Sequence, residues 1–204
     1  MTAPASQTRI VNKAAVLLGT LERIVAITDS SALAITAKAL WDETRDEVMA
    51  DHPWNFALSR AALAASADEA PAGSQYAYAY ELPQDNLRWL PWRPDHVDHF
   101  EGEQEGRYIL SNAAAPIYVR YIRRVEDLSK WSAGYIEALT AKLAMYMAKP
   151  ITGQSGMIDR MARLYEQAIA NARRQDGLAS GRTGRTASYR SHWLAARNGG
   201  VGRM

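Results

Sequence analysis

The chain has 204 residues and a mass of 22.6 kDa, which suits one domain or one domain carrying an insertion. Its 48% hydrophobic and 23% charged residues are typical of a globular protein with a hydrophobic core. Because the chain has no cysteine, disulfides, thiolate zinc sites and a cysteine nucleophile are excluded. No apolar run approaches the ~20 residues of a membrane span, and the N-terminus lacks a signal-peptide pattern. We therefore expect a soluble chain, cytoplasmic at synthesis, that has no membrane partner.

The net charge of +2 is divided unevenly along the chain. Residues 177–204 contain five arginines and no acid, so subtracting +5 from +2 leaves −3 for residues 1–176. The body is mildly acidic and the tail is basic. This contrast is more informative about partners than the overall charge.

Helical periodicity predicts two helices before residue 53. The first spans 6–18, and Gly19 ends it. The second begins after Ser30 or Ser31, since a serine hydroxyl accepts hydrogen bonds from the free N–H groups of a first turn, and it extends to about Met49. Its polar face, which we expect to be solvated or to meet a neighbour, consists of Asp42, Glu43, Arg45, Asp46 and Glu47.

The stretch HPWNF follows the second helix. Pro53 cannot continue a helix, and it pushes His52 toward an extended conformation. Trp54 and Phe56 are two residues apart, which places them on the same side of a strand. We predict a helix-to-strand corner at Pro53, with Trp54 and Phe56 as core residues that fix the angle between helices and sheet.

Residues 54–125 alternate with a period of two rather than 3.6. In QYAYAYELP, the side chains of Tyr76, Tyr78 and Tyr80 share one face. The stretches LRWLPW, RYILS and IYVRYIRRV repeat the strand pattern, separated by Pro, Gly, Asn and Asp. Together with a strand after Pro53, they predict about five short strands in one antiparallel sheet.

Helical periodicity returns after residue 125. The third helix carries an apolar face from Tyr135 to Met147, and Pro150 and Gly153 are expected to break it. The fourth helix has the most regular pattern in the chain, from Met157 to Ile169. The predicted class is α+β: an antiparallel helical bundle with a β-sheet insertion between helices 2 and 3, and an extended C-terminal tail. The predicted parts are 1–53 and 126–176 for the two halves of the bundle, 54–125 for the insertion and 177–204 for the basic tail.

No motif predicts a catalytic site. DHVDH, residues 95–99, places two imidazoles between carboxylates, but it lies in a predicted solvated loop without a distant third ligand. GQSGM, residues 153–157, departs from the nucleophile elbow by one glycine and predicts a turn between helices. GLASGRTGR lacks the lysine of a phosphate-binding loop. We expect no enzymatic activity, no metal and no cofactor.

The order of these segments resembles a known family. WDETRDEVMADHPWNFA at the end of the second helix, the tyrosine-rich strand ending in YELPQDNLRW, and the two closing helices are similar to the tail tubular protein A family. Members of that family are head-to-tail adaptors of short-tailed, T7-like bacteriophages. The matching parts are residues 41–60, residues 76–89 and the terminal helix pair. The resemblance implies a virion structural protein of the neck or tail, assembled in the host cytoplasm.

The resemblance also implies the partners. The chain would form a ring of twelve copies that joins the portal protein to the tail nozzle protein and extends the channel through which double-stranded DNA passes. The aromatic composition agrees, because six tryptophans and ten tyrosines against two phenylalanines favour interface residues that keep a polar atom near water. The alternative for each tyrosine is an ordinary sheet residue.

A channel wall should not hold DNA tightly, and an acidic lining repels phosphates. We expect either the acidic face of the second helix or the EGEQEG segment to line or approach the channel. The channel-facing candidates are Asp42, Glu43, Asp46, Glu47, Glu101, Glu103 and Glu105.

The basic tail has several interpretations. With six glycines, five arginines and no acid in residues 177–204, it cannot bury enough apolar surface to fold alone. SYRSHWLAAR nevertheless contains an apolar anchor, so we expect the tail to dock on the portal or on a neighbouring subunit. The alternatives are a disordered tail that only aids solubility, and a nucleic-acid-binding protein whose tail arginines neutralise phosphates while its aromatics stack on bases. The docking candidates are Arg182, Arg185, Tyr189, Arg190, Trp193, Leu194 and Arg197.

Overall fold

A computed structural model of the chain describes residues 6–66 and 73–180. This part of the chain contains four α-helices and a short 3-10 turn at Leu128–Lys130. None of its helices is long and apolar enough to cross a lipid bilayer. The helices are α1 (Gln7–Leu17), α2 (Ala32–Ala50), α3 (Ala133–Thr152) and α4 (Gly156–Ala179).

Serine caps set the beginnings of three helices. The Oγ atoms of Ser6, Ser31 and Ser132 accept hydrogen bonds from backbone N–H groups in the first turns of α1, α2 and α3. The cap of α2 is therefore Ser31, one of the two serines that the sequence allowed. The predicted stop at Gly19 is confirmed, because α1 ends at Leu17 and Gly19 adopts a φ of 75°.

Pro150 does not break α3, contrary to the sequence prediction. The helix continues to Thr152 and ends at Gly153, which adopts the left-handed conformation with a φ of 70°. A proline removes one backbone N–H, and its ring crowds the carbonyl four residues earlier, yet the residues up to Thr152 keep helical geometry. Gly153 alone therefore terminates the helix.

The insertion contains six strands in two sheets rather than about five strands in one. The first sheet has the order β1-β6-β3 and the second β2-β5-β4, and all pairings are antiparallel. Sequence reasoning missed β4 because GEQE has no apolar alternation. The strands are β1 (Leu58–Leu63), β2 (Tyr78–Glu81), β3 (Asn86–Leu90), β4 (Gly102–Glu105), β5 (Tyr108–Ser111) and β6 (Ile117–Arg123).

The two sheets pack face to face around a small apolar core. Val119 of β6 and Leu63 of β1 meet Tyr80 of β2 and Ile109 of β5 there. Successive side chains on a strand point to opposite faces, so each sheet also has an outer face turned away from the other sheet. Of the tyrosines predicted to share a face, Tyr80 is fully buried and Tyr78 is 45% exposed, whereas Tyr76 precedes β2.

A larger core lies among the four helices, and it also receives Ile122 of β6 from the outer face of the first sheet. That sheet is thus covered by the bundle at one end and by the second sheet on its inner face. The α+β class and the position of the insertion between α2 and α3 are confirmed. The helix-to-helix turn predicted at residues 153–157 is also present, as the short connection between α3 and α4.

Candidate functional site

The corner after α2 is a buried aromatic cluster, although it is not part of a strand. Trp54 and Phe56 lie in a turn that precedes β1, so the prediction that they share one side of a strand is wrong. Trp54 is fully buried, its indole N–H donates to the carbonyl of Val48 at 3.0 Å, and its ring lies 5.4 Å from that of Tyr135. Phe56 is half-buried and stacks on Trp54. Pro53 therefore directs two aromatics into the core through a turn.

The corner also binds the end of α4. Both carboxylate oxygens of the buried Asp176 accept from the backbone N–H of Asn55, at 3.1 and 3.3 Å, and the side-chain amide of Asn55 donates to the carbonyl of Asp176 at 2.7 Å. Nε2 of His52 lies 3.3 Å from the same carboxylate. Burial lowers the pKa of His52 below 6.5, against the opposing effect of Asp176. These contacts fix the position from which the C-terminal segment departs.

The helical part of the chain extends beyond the predicted boundary of the tail. We placed the start of the tail at Gly177, but α4 continues to Ala179. The docking candidates Arg182, Arg185, Tyr189, Arg190, Trp193, Leu194 and Arg197 all lie outside the described residues, as does the rest of the arginine-rich segment.

The acidic face of α2 is largely neutralised within the molecule. Asp46 forms ion pairs with Arg45 at 2.8 Å and Arg124 at 2.7 Å. Glu47 pairs with Lys142 at 2.8 Å and accepts from the hydroxyl of Tyr146. The carboxylates of Asp42 and Glu43 remain exposed, the former beside the Arg45 guanidinium.

Sequence reasoning placed Arg45 on the polar face, but its side chain is buried. Its guanidinium contacts Asp42 and Asp46, and the pKa of Arg45 is raised because these carboxylates outweigh the effect of burial. The carbonyl of Arg45 accepts from the hydroxyl of Tyr135, which is also fully buried. Only the density of acids around Arg45 in the sequence could have indicated this role.

The EGEQEG segment is a hairpin rather than a loop. Glu103 and Glu105 belong to β4, the edge strand of the second sheet, and Gly106 forms the turn to β5 with a φ of 55°. Glu103 is paired in register with Leu110, next to the inward-facing Ile109, so Glu103 and Glu105 project from the outer face. Both are exposed, as is Glu101, and none of the three forms an ion pair with a described residue.

A second surface feature, missed by sequence reasoning, lies on the outer face of the first sheet. Trp92 covers the strands β1 and β6, and its indole N–H donates to the carbonyl of Tyr118 at 2.7 Å. The guanidinium carbons of Arg60 and Arg120 lie 5.9 and 5.1 Å from the centre of its ring. We call this surface the Trp92 groove; it has a volume of about 420 Å³ and is lined by Arg60, Ala61, Ala62, Trp92, His96, Asp98, Tyr118 and Val119.

The DHVDH stretch forms part of this groove. The ring of His96 stacks on Trp92 at 3.9 Å between centroids, and its Nδ1 accepts from the backbone N–H of Asp98 at 3.1 Å. His99 contacts the carbonyl of Trp92 instead. Within residues 6–66 and 73–180, no group of three or more His, Asp or Glu side chains is arranged to hold a metal ion.

No family model matches the chain, and no curated protein matches it either.

Proposed function

We propose that the chain is a subunit of a ring that joins the portal of a short-tailed phage to the tail nozzle. The observation that carries this proposal is the arrangement of two bodies around one buried corner. The two-sheet insertion meets the helical bundle where Ile122 of β6 enters the core that contains Trp54. The same corner anchors the last turns of α4 through Asn55 and Asp176. A spacer between two unlike partners needs two distinct surfaces that hold a constant relative orientation.

The basic segment is the proposed contact with the portal. It follows Ser180, directly after the helix end that Asp176 attaches to the corner. Arg173 adds an ion pair with Asp51 at 2.6 Å near the same end. Twelve segments leaving a ring from equivalent, well-fixed positions would bind a ring-shaped partner with a gain from multivalency, even if each contact is weak.

The proposed role in DNA passage requires a surface that does not retain DNA. Asp46 and Glu47 are occupied by internal partners, so they contribute less to an acidic lining than the sequence predicted. Asp42 and Glu43 on α2 and the glutamates of the β4 hairpin are the exposed candidates. We propose no enzymatic step for this chain, and its partners are the portal, the nozzle, other copies of itself and passing DNA.

Removal of residues 181–204 tests the proposal. Because α4 extends to Ala179, truncation after Ser180 preserves the helix, whereas truncation at Gly177 would remove its last turn. We expect the truncated protein to keep the helical circular-dichroism signal and the unfolding midpoint of the full chain but to lose attachment to purified portal rings. A truncated protein that still attaches to portal would contradict the docking role.

The same pair of proteins separates the adaptor from the nucleic-acid-binding alternative. A tail that binds phosphates would give the full chain an affinity for DNA that falls steeply with salt and is absent after truncation. An anchored segment in a protein groove depends less on salt. Full-length protein that binds DNA strongly and ignores portal would favour the alternative.

A further inference from the structure

The walls of the Trp92 groove are held in place by contacts within one chain. The ring of Trp92 stacks on His96, and its N–H is bonded to the carbonyl of Tyr118. The loop that carries both rings is closed by backbone bonds, from the N–H of His96 to the carbonyl of Arg93 at 2.9 Å and from the N–H of His99 to the carbonyl of His96 at 3.0 Å. A surface that is positioned in advance loses little freedom when a ligand binds.

Three hydrogen-bond donors that line the groove are not used within the described part of the chain. The guanidinium of Arg60 lies beside the Trp92 ring and forms no ion pair with a described residue. Nδ1 of His96 accepts from the backbone N–H of Asp98, so the ring proton lies on Nε2, which has no described partner. The hydroxyl of Tyr118, whose residue is 52% exposed, has none either. The groove therefore offers several donors to a ligand that carries acceptors.

The formal charges of the groove indicate which acceptors fit. Two lining residues are formally charged, Arg60 and Asp98, and they form no ion pair with each other. The carboxylate of Asp98 lies 3.7 Å from Nδ1 of His96, at the side of the loop. Arg60 thus calls for one negative group and Asp98 for a donor close to it. A polyanion such as nucleic acid supplies no donor and is repelled by Asp98.

We propose that the Trp92 groove binds an acidic peptide segment of a partner protein. The carboxylate of an aspartate or glutamate in that segment accepts hydrogen bonds from the planar fork of Arg60. A backbone N–H of the segment donates to Asp98, and its carbonyls accept from Nε2 of His96 and the hydroxyl of Tyr118. A peptide supplies all three kinds of group within a few residues.

The open shape of the groove favours a peptide over a small molecule. Three of its lining residues, Arg60, Ala62 and Tyr118, are exposed. Pockets for small molecules commonly bury 70–90% of the ligand, which an open groove does not do. A segment of a partner protein needs to bury one side only. The site does not depend on the proposed ring, because one chain contains all of it.

Immobilised peptide pools test the site with the full-length chain. Each pool has random residues on both sides of a fixed central residue, which is glutamate, glutamine or phosphoserine. Because the arginines of residues 181–204 also attract acidic peptides, the quantity of interest is the binding that Arg60→Ala removes. On the glutamate pool, we expect Arg60→Ala to weaken binding about tenfold or more, since a charge-assisted contact is lost. On the glutamine pool, it should change binding little.

Further variants separate the charge of Arg60 from its shape. Arg60→Lys should keep part of the binding to the glutamate pool, because lysine retains the charge without the planar fork. Arg160→Ala, at an exposed position of α4, is the matched control and should bind as the parent chain does. Circular dichroism confirms that each variant is folded. Equal binding of Arg60→Ala and the parent chain to the glutamate pool would overturn the proposal, as would a larger Arg60-dependent loss on the phosphoserine pool.

NMR spectroscopy locates the bound peptide independently of its affinity. The chain has six tryptophans, and Trp92→Phe identifies the indole cross-peak of Trp92 in a proton–nitrogen correlation spectrum. Titration with a peptide from the glutamate pool should move this cross-peak until the site is saturated. The cross-peak of Trp54, which is fully buried in the corner, should stay in place. A peptide that binds without moving the Trp92 cross-peak would overturn the assignment of the groove.

Discussion

At the scale of single residues, Trp54 concentrates several interactions at one position. Its ring contacts His52, Phe56 and Tyr135 at centroid distances of 4.8, 6.3 and 5.4 Å, and its N–H is bonded to the carbonyl of Val48. The side chain has no solvent exposure. A large aromatic with its polar atom satisfied inside the core stabilises both by burial and by orientation.

We expect Trp54→Ala to lower the free energy of unfolding by about 3–5 kcal/mol, because it removes this burial and leaves a cavity. In a chain of this length, each 1 kcal/mol lost from the free energy of unfolding lowers the midpoint of thermal unfolding by roughly 2–4 °C. Thermal unfolding followed by circular dichroism measures the shift. Trp92→Ala, at a partly exposed surface position, is the matched control and should shift the midpoint less. A change of only a degree or two for Trp54→Ala would show that the corner does not depend on this side chain.

His52 should make stability depend on pH. Because burial lowers its pKa below 6.5, the unfolded chain binds a proton at this residue more readily than the folded chain. Stability should therefore rise with pH between the lowered folded value and about 6.5, and it should be fully present above that window. Urea unfolding of the parent chain and of His52→Gln from pH 5 to 8 measures this contribution. The variant should show a shallower pH dependence, and identical slopes would exclude His52 as its source.

At the scale of secondary-structure elements, the contact between α3 and α4 depends on a close approach at Gly134. A Cβ atom at this position would lie 3.0 Å from Cα and 3.1 Å from Cβ of Ala172. Both atoms belong to Ala172 of α4 and have little freedom to move. By contrast, a Cβ atom at Gly177 of α4 would have no neighbour within 4 Å.

The same substitution should thus have opposite effects at these two glycines. Gly134→Ala should destabilise the protein by about 1–3 kcal/mol through overpacking. Gly177→Ala should stabilise it by about 0.5–1 kcal/mol, since alanine loses less backbone entropy in a helix. Chemical denaturation of both variants gives the two signs. If Gly134→Ala raised the free energy of unfolding as much as Gly177→Ala does, α3 and α4 would be able to move apart at Gly134 without loss of stability.

At the scale of the whole molecule, the charge division along the sequence has a counterpart on the surface. The acids of α2 stabilise the fold, because Arg45, Arg124 and Lys142 neutralise Asp46 and Glu47. Within the insertion, Arg60 of β1 lies on the outer face of the first sheet, whereas Glu103 and Glu105 of β4 lie on the outer face of the second.

Local patterns were sufficient to predict the helices, the serine cap of α2, the position of the insertion and the burial of Trp54. These features depend on periodicity and on residues that are adjacent in sequence, so a single chain carries the information. The corner at Pro53 was recognised for the same reason, because proline acts on its immediate neighbours.

Contacts between distant residues required the folded chain. Several contacts join residues from different elements. They are the ion pair of Asp46 with Arg124, the anchoring of α4 by Asn55, and the facing pair Arg60 and Arg120. The burial of Arg45 likewise depends on the folded chain. Strand register and the packing of the sheets decide which of these side chains meet, and a local sequence pattern does not reveal either of them. The division into two sheets was hidden similarly, because the polar edge strand β4 is stabilised by its pairing with β5 rather than by an apolar face of its own.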